Sequence, residues 1–412
     1  MTDLELRPID LTEFPAFHRT LAEVFGETVR DSERERMAGV FEPERSLAVF
    51  DAGEIVATAG ACTRDLTVPG GPRPVAGVTA VAVQPTHRRR GLLTELMRRQ
   101  LTDLRERELE PVAALWASEG GIYRRFGYGL AARQLTWQAR GARIRLRPDA
   151  PVGPGRVTLV PPERARPHEM AVYDALSPAT VGFLTRPGRW WDRRFADPED
   201  QRGGATPRRH ALHTEPDGTV TGYATYRTKQ SWATSWSEGA QGTVQVEDVH
   251  ATTPAAYAAL WTFLAGIDLH PRMTRALGPL EDPLTQLLAD PRALAAEVFD
   301  SLWVRLVDVG RALAARTYRV PVDVVLDVRD EFCPWNAGTW RLSGDASGAT
   351  CERTSDPAGL TVSATDLGAV YLGGPTLTQV AAAGRVGGPA ATVSAVGLAF
   401  SGEDAPWCPE IF

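Results

Sequence analysis

The segment at residues 81–101, VAVQPTHRRRGLLTELMRRQL, constrains the fold of this chain more than any other segment. Val81 and Val83 are β-branched and apolar, which favours a buried strand. Pro85 is expected to end that strand because it has no N–H for the ladder. From Gly91 onward, apolar residues recur at helical spacing: Leu92, Leu93, Leu96, Met97 and Leu101. The segment therefore predicts a strand, a tight basic turn and an amphipathic helix.

The basic turn at residues 88–91 lies at the N-terminus of the predicted helix, where Thr86 is expected near the N-cap. The first N–H groups of a helix have no intrahelical partners, and the helix dipole favours an anion there. Arg88, Arg89 and Arg90 add positive charge beside these groups. The turn therefore predicts a pyrophosphate site. The alternative is a basic helix start on a solvated face.

A second segment, PVAALWASEGGIYRRFGYG at residues 111–129, begins with an apolar run that predicts another buried strand. Ser118 and Glu119 are expected to open a short helix that contains Tyr123. Gly127 is expected to end this helix in the left-handed conformation. The two segments thus predict a strand–helix–strand–helix succession.

Together these segments resemble the GNAT superfamily of N-acetyltransferases. Residues 88–93, R-x-x-G-x-L, are similar to its acyl-coenzyme A loop, whose usual form is Q/R-x-x-G-x-G/A, and Leu93 is the departure. Residues 123–128, YRRFGY, have the Y-x-x-φ-G-aromatic form of its second motif. The resemblance implies acetyl-coenzyme A as the co-substrate.

The chain resembles the Eis (enhanced intracellular survival) family of acetyltransferases in its length and in the segments THRRRGLL and ASEGGIYRRFGYG. Residues 300–318 resemble the entry to that family's last domain, and YLGG at residues 371–374 fits a later part of it. The resemblance implies an α+β protein that forms homohexamers. Its expected domains are a catalytic GNAT domain, a second GNAT-like domain without a coenzyme motif, and a sterol-carrier-protein-like domain, at residues 1–145, 146–300 and 301–412. Each GNAT-like domain is expected to be a mixed sheet flanked by helices.

Composition narrows the class of protein. A chain of 412 residues with 43% hydrophobic and 23% charged residues is expected to form two or three globular domains. The net charge of −6 disfavours general binding to nucleic acid. We expect a cytoplasmic protein, since no apolar run has the length of a membrane span and the N-terminus lacks a signal-peptide core. The four cysteines form no C-x-x-C pair, so neither zinc nor a disulfide framework is expected.

Acetyl transfer to an amine makes three demands on a site. The amine, with a pKa of about 10, must lose a proton before it attacks the thioester. The oxyanion needs hydrogen-bond donors, and the departing thiolate needs a proton. By resemblance, Tyr123 is the general acid; the alternative is an aromatic that packs on the helix face. Tyr128 is the rival acid, although the motif makes it the packed aromatic.

Both segments are expected to contact the coenzyme. By resemblance, the backbone of residues 81–83 binds the pantetheine arm and residues 88–94 hold the pyrophosphate. Instead of the pyrophosphate, Arg90 is alternatively expected to face solvent or the adenosine 3′-phosphate. The alternative for Ser118 is a simple N-cap role. The expected coenzyme set is Val81, Ala82, Val83, Arg88, Arg89, Arg90, Gly91, Leu92, Leu93, Thr94, Ser118 and Glu119.

The resemblance also implies the general base. In the Eis family the C-terminal carboxylate takes this role by threading back into the first domain. Here that group would be the carboxylate of Phe412, and the alternative is a frayed tail. The apolar ending, with Trp407 and Ile411, favours burial. Ile411 stands where other family members carry an acid, and Glu410 comes one place earlier, which leaves the substrate range open.

An amine-binding pocket should be acidic. Glu27 lies where the family places a pocket acid, and Asp31 and Glu33 are close to it in sequence. A solvated charged loop is the alternative for all three. Trp116 is expected to line the pocket or to be a core tryptophan.

The resemblance thus implies an Eis-like N-acetyltransferase that transfers acetyl from acetyl-coenzyme A directly to primary amines in a ternary complex, and no metal is expected. By resemblance, the acceptors are aminoglycosides, at one or several amines. The first rival is a protein or peptide lysine acetyltransferase. The second is a non-catalytic lipid- or ligand-binding protein on a GNAT scaffold. The Trp190-Trp191 pair is interpreted as domain packing rather than nucleic-acid stacking.

Overall fold

The computed structural model describes residues 4–140, 144–235, 237 and 239–412. Up to residue 130, the strands are β1 (Leu4–Pro8), β2 (Leu47–Asp51), β3 (Glu54–Val68), β4 (Gly71–Val83), β5 (Val112–Trp116) and β6 (Gly129–Leu130). The helices of this part are α1 (Phe14–Phe25), α2 (Asp31–Ala38) and α3 (Leu92–Arg107). Short 3-10 helices occupy Leu11–Glu13, Pro43–Arg45, Pro85–His87 and Tyr123–Phe126.

The middle of the chain alternates strands and helices again. Its strands are β7 (Arg133–Arg140), β8 (Arg156–Val160), β9 (Arg209–Thr214), β10 (Val220–Lys229), β11 (Thr243–Ala251), β12 (Arg272–Pro279) and β13 (Glu297–Asp300). Its helices are α4 (Pro162–Leu176), α5 (Gly188–Phe195), α6 (Pro254–Ala265) and α7 (Leu284–Leu287), with 3-10 helices at Glu199–Gln201 and Pro291–Leu294.

The last part of the chain completes the α+β architecture. Its strands are β14 (Leu302–Leu306), β15 (Val322–Arg329), β16 (Gly338–Asp345), β17 (Gly348–Arg353), β18 (Leu360–Ser363) and β19 (Val386–Gly387). Its helices are α8 (Val309–Ala314), α9 (Ala364–Val370), α10 (Leu377–Ala382) and α11 (Ala390–Phe400), with a 3-10 helix at Pro334–Asn336.

The first sheet holds the elements that the two sequence motifs predicted. Its strand order is β1-β2-β3-β4-β5-β14-β6, and β4 and β5 are its parallel pair. Helix α3 buries Leu96, Met97 and Leu101 against the sheet. Helix α1 buries Phe17 in a separate cluster with strands β2 and β3. The sheet is therefore covered by helices in two separate clusters, as its apolar strands require.

The first two sheets exchange strands, which sequence periodicity did not predict. The second sheet has the order β13-β7-β12-β11-β10-β9-β8, so β7 leaves the first part of the chain to join it. Strand β14 returns to the first sheet, where Val304 pairs with Ala114 of β5 and with Gly129 of β6. The boundaries expected at residues 145 and 300 therefore do not coincide with the division between the sheets. Strand pairing between distant segments fixes this division.

The third sheet has the order β17-β16-β15-β18-β19 and belongs to the last part of the chain. Its core is continuous with that of the first sheet, since Leu326 and Leu342 share one cluster with Leu302. No helix in the residues that the structure describes is long and apolar enough to span a membrane. Within the same residues, no group of three His, Cys, Asp or Glu side chains is placed to hold a metal ion.

The strand, turn and helix predicted at residues 81–101 are present, but the helix begins differently. Thr86 lies inside a 3-10 helix, and Gly91 is the N-cap of α3, with φ of +84° and no side-chain cap. The placement of Thr86 near the cap was therefore wrong. The helix expected to open at Ser118 begins only at Tyr123, and Gly127 ends it with φ of +85°.

Candidate active site

Strand β4 has a free edge at its C-terminal end. Its pairing with β5 stops at Val78, so residues 79–83 have no strand beside them on that side. On the other side, the register with β3 shifts between Thr58 and Gly60, and Ala80 takes a φ of +53°. A bulge of this kind re-aims the local backbone. The open edge offers backbone N–H and C=O groups to a ligand.

A cavity of about 550 Å³ lies beside this open edge. Its walls come from the end of β4, the basic turn, the start of α3 and the segment after β5. Of the twelve coenzyme residues that the sequence predicted, eleven line the cavity: Val81, Ala82, Val83, Arg88, Arg89, Gly91, Leu92, Leu93, Thr94, Ser118 and Glu119. Arg90 is exposed and does not line it. We call this space the coenzyme cavity.

The start of α3 supplies an anion site to the coenzyme cavity. Because Gly91 provides no capping side chain, the first N–H groups of this 16-residue helix stay available to a ligand. These groups and the helix dipole together favour a phosphate. A side chain at position 91 would strain the backbone, since its φ is +84°. The geometry fits the pyrophosphate of coenzyme A.

Arg88 and Arg90 offer a matched pair for testing this cavity. Arg88 lines the cavity, and its Nε donates weakly to the Val83 carbonyl at 3.5 Å. Replacing Arg88 with Ala is expected to weaken acetyl-coenzyme A binding about 10-fold, because it removes a charge-assisted hydrogen bond to phosphate. Isothermal titration calorimetry would measure the change. Arg90→Ala is the control, and equal losses in both variants would contradict this placement of the pyrophosphate.

Tyr123 reaches the coenzyme cavity, and Tyr128 does not. Tyr123 is 6% exposed and lines the cavity, whereas Tyr128 lies fully buried behind it, edge-on to the Tyr123 ring. Burial, with Glu119 nearby, raises the pKa of Tyr123 to about 12. Its phenol therefore keeps its proton at neutral pH, as a proton donor must. The Tyr128 hydroxyl has no hydrogen-bond partner among the described residues.

A second, smaller cavity of about 180 Å³ adjoins the other end of the bulged segment, at Thr79 and Ala80. We call it the acceptor pocket. Apolar and aromatic side chains form much of its wall, and Glu33, Glu42 and Arg193 are its charged side chains. The remaining lining residues are Leu21, Met37, Val40, Phe41, Ser46, Gly60, Ala61, Cys62, Trp190, Ile411 and Phe412.

The end of the chain runs into the acceptor pocket. The Trp407 indole donates to the Leu277 carbonyl at 2.9 Å, and its backbone N–H donates to the Val181 carbonyl at 2.9 Å. The Thr79 hydroxyl then donates to a main-chain oxygen of Phe412 at 2.9 Å. The tail is therefore fastened to the second sheet's domain and ends at the bulge of β4.

Glu410 fastens the tail through two buried arginines. It pairs with Arg64 of β3 and, at 2.6 Å, with the Nε of Arg186. Both arginine side chains are at most 1% exposed. These two guanidinium groups hold the pKa of Glu410 below its ordinary value, against the opposing effect of burial.

Replacing Glu410 with Gln is expected to lower the free energy of unfolding by about 1–3 kcal/mol at neutral pH, since two buried arginines lose their counter-ion. The folded-state pKa is lowered, so this stabilisation is present above the ordinary carboxyl pKa and is lost as the pH falls through the folded value. Chemical denaturation at several pH values measures both effects. Glu403→Gln, at an exposed tail position, is the control. An acid profile identical in Glu410→Gln and wild type would contradict this account.

Cys62 faces the acceptor pocket but is a poor nucleophile. Burial raises the pKa of its thiol to about 11, and the thiol donates to the Gly77 carbonyl at 3.2 Å. Because the thiolate is the reactive form, an acetylated cysteine intermediate is disfavoured.

The predicted acceptor residues are placed apart from the acceptor pocket. Glu27 is exposed in the loop between α1 and α2 and does not line the pocket. Trp116 is partly buried and packs against the cluster that contains Cys408. Of the two acids close to Glu27 in sequence, Asp31 and Glu33, it is Glu33 that lines the acceptor pocket.

Sequence reasoning missed several pocket residues. Trp190, interpreted as domain packing, lines the acceptor pocket, and Arg64 stacks on its ring at 3.9 Å. Glu42, Thr79 and Arg193 were not singled out. No local pattern marks these residues, because the chain brings them together only through sheet packing.

Comparisons with known proteins agree with this architecture. Residues 5–131 and 182–307 each match an acetyltransferase (GNAT) domain family, and residues 309–409 match the sterol carrier protein domain family. The last match begins after β14, and the second GNAT match includes that strand, although it pairs within the first sheet.

Related proteins match along most of the chain. An uncharacterised N-acetyltransferase of Streptomyces avermitilis is 46% identical over 99% of each chain. The N-acetyltransferase Eis of Mycobacterium tuberculosis is 38% identical over 78% of this chain and 76% of its own length. The crystal structure of Eis1 from Mycobacterium abscessus is 34% identical and superposes with a TM-score of 0.82 over 99% of this chain and 100% of its own. The chain therefore belongs to the Eis-type N-acetyltransferases of the GNAT superfamily.

Proposed function

We propose that the protein transfers acetyl from acetyl-coenzyme A directly to a primary amine, with Tyr123 as general acid and the Phe412 carboxylate as general base. The contact between Thr79 and Phe412 carries this proposal, because both residues line the acceptor pocket and Thr79 begins the open edge of β4. In this proposal Phe412 contributes a terminal carboxylate, and the oxygen bonded to Thr79 belongs to that group. An incoming ammonium would lose its proton to that group.

The GNAT fold implies acetyl-coenzyme A as the co-substrate, and the coenzyme cavity fits it. In this proposal the pantetheine arm lies along the free edge of β4, where backbone N–H groups polarise the thioester carbonyl. The amine attacks that carbonyl carbon, and the C–S bond breaks as the oxyanion collapses. Tyr123 then gives its proton to the departing sulfur, and the second proton that the nitrogen must lose restores the phenol.

Direct transfer predicts a definite kinetic pattern. Both substrates must be bound together, so reciprocal plots of rate at several fixed amine concentrations should intersect. Parallel lines would indicate a covalent intermediate and would contradict direct transfer.

A thiol-release assay with an amine panel tests the function itself. The resemblance to Eis proteins supplies two acceptor classes: aminoglycosides, at one or several amines, and lysine side chains of peptides. The panel contains kanamycin, neomycin, a lysine peptide and simple monoamines. Turnover with any of them supports the proposed reaction. Tight coenzyme binding with no amine turnover would contradict it and favour the binding-protein alternative.

The resemblance also implies a homohexamer that works in the cytoplasm. Val298 and Phe299 support an assembly, because these apolar side chains are 55% and 46% exposed on edge strand β13. Light scattering of the purified protein would measure the number of subunits.

A further inference from the structure

Charge pairing in the acceptor pocket bears on the choice of acceptor. Two side-chain carboxylates line the pocket, and protein groups already engage both. Glu42 accepts from the Thr63 hydroxyl at 2.7 Å and pairs with Arg189. Glu33 pairs with Arg36 at 2.7 Å and accepts from Gln201 at 2.6 Å. Neither acid is therefore fully available to a cationic ligand.

Arg193, the third charged side chain of the pocket, differs from the two acids because protein groups in the described part of the chain do not engage it. Its half-buried side chain lines the pocket, with the guanidinium carbon 6.0 Å from the centre of the Trp190 ring. It makes no hydrogen bond or ion pair with any residue that the structure describes. The acids that act on it at longer range, Glu33 and Glu410, are both paired with other arginines.

A half-buried arginine without a hydrogen-bond or ion-pair partner is expected to bind an anion. A guanidinium stays charged in proteins and presents five N–H donors in a planar fork. Burial without a partner disfavours its charge and, together with the positive charge of nearby Arg36, lowers the pKa of Arg193 from the ordinary value. A carboxylate or phosphate matches the fork with two parallel hydrogen bonds. Among the charged side chains that line this pocket, the unmatched one is therefore positive.

We infer that the acceptor is a primary amine that also carries an anionic group, a carboxylate or a phosphate, on a compact apolar body. This inference rests on the proposed function. Arg193 would bind the anion, Phe41 and Trp190 would pack against the apolar body, and the Phe412 carboxylate would face the amine. A ligand of this kind satisfies each exposed charge of the pocket with its opposite.

Aminoglycosides fit this pocket poorly. They carry several ammonium groups and no anion, so they would meet Arg193 with like charge. The cavity of about 180 Å³ is also below the roughly 300–1,000 Å³ typical of pockets for drug-sized ligands. We therefore expect aminoglycosides to be weaker acceptors than a small amine with an anionic group.

Matched amines test the inference. Benzylamine, 4-(aminomethyl)benzoate and the corresponding phosphonate share one apolar body and differ in the anion. For the wild type, kcat/KM is expected to be about 10- to 100-fold higher with an anionic amine than with benzylamine, since a charge-assisted contact is gained. The two anionic amines separate carboxylate from phosphate as the preferred group.

Variants assign the preference to Arg193. In Arg193→Gln the ratio of the kcat/KM values should fall to near one, and in Arg193→Glu it should reverse. Arg166→Gln is the control, because Arg166 pairs with Asp192 at 2.6 Å and does not line the pocket. A wild-type enzyme that prefers benzylamine or kanamycin, or a ratio unchanged in Arg193→Gln, would overturn the inference and leave the proposed reaction intact.

Binding separates this inference from the proposed function. If no amine is acetylated, the proposed reaction fails, and calorimetry with 4-(aminomethyl)benzoate still decides the anion site. Weaker binding in Arg193→Gln than in Arg166→Gln would support the site. Equal binding in both variants would overturn it.

Discussion

Adding a few residues after Phe412 is expected to lower kcat for amine acetylation by about 10²–10⁴-fold, the usual contribution of a general base. The extension would displace or bury the Phe412 carboxylate that we propose as the base, which Thr79 contacts in the acceptor pocket. Acetyl-coenzyme A binding should not change, because the coenzyme cavity is lined by other residues. Steady-state kinetics and calorimetry on one preparation would measure both quantities.

A semisynthetic chain with an amide at Phe412 separates charge from bulk. It adds almost no volume and removes only the negative charge, so it should lose activity as the extended chain does. An amidated enzyme that keeps its wild-type kcat would show that Phe412 is not the base. The same extension at the N-terminus is the second control, and it should leave kcat unaltered.

Replacing Tyr123 with Phe is expected to lower kcat about 100-fold, at the lower end of general acid effects, because a thiolate leaves more readily than a stronger base. The variant keeps the aromatic ring that packs between α3 and the sheet, so its free energy of unfolding should change little. The loss should also depend on the thiol, since thioesters with more acidic thiols need less proton transfer.

Tyr128→Phe is the matched control for the acid. Its hydroxyl is buried and has no partner among the described residues, so its removal should leave kcat near the wild-type value. A large loss in Tyr128→Phe, together with full activity in Tyr123→Phe, would reverse the assignment of the two phenols.

The coenzyme cavity could be predicted from sequence because its signals are local. Alternating valines, a proline stop and a helical repeat define β4, the turn and α3 within some twenty residues. The left-handed Gly91 then follows from the need for a short turn into the helix. Only Arg90, of the predicted set, lies outside the cavity, since its side chain faces solvent.

The acceptor pocket could not be predicted in this way. It joins helices α1 and α2, the segment before β2, strands β3 and β4, helix α5 and the tail, so its residues extend from position 21 to position 412 of the sequence. Trp190 and Arg193 stand one helical turn apart on α5, a pattern that also describes ordinary packing. Glu27 was predicted to be an acid of the amine-binding pocket from its position in the sequence alone. The left-handed Gly26 ends α1, however, and Glu27 is exposed.

The exchange of β7 and β14 between sheets was also beyond local reasoning. Strand β14 is a mostly apolar run, and β7 alternates polar and apolar residues. Both patterns suit any sheet, so periodicity does not say which sheet receives each strand. The choice depends on pairing between distant strands, such as Val304 with Ala114. Sequence patterns therefore indicate strands and helices, but they do not indicate which sheet each strand joins.

Mass spectrometry of both enzyme and amine after a single turnover tests direct N-acetyl transfer most directly. The enzyme is mixed with one equivalent of acetyl-coenzyme A and a turned-over amine, and the reaction is quenched at successive times. The account predicts that the acetyl group appears on the amine nitrogen as free coenzyme A is released, while the enzyme keeps its unmodified mass throughout. An acetylated enzyme that forms and decays before the product, or thiol release without acetylated amine, would contradict it.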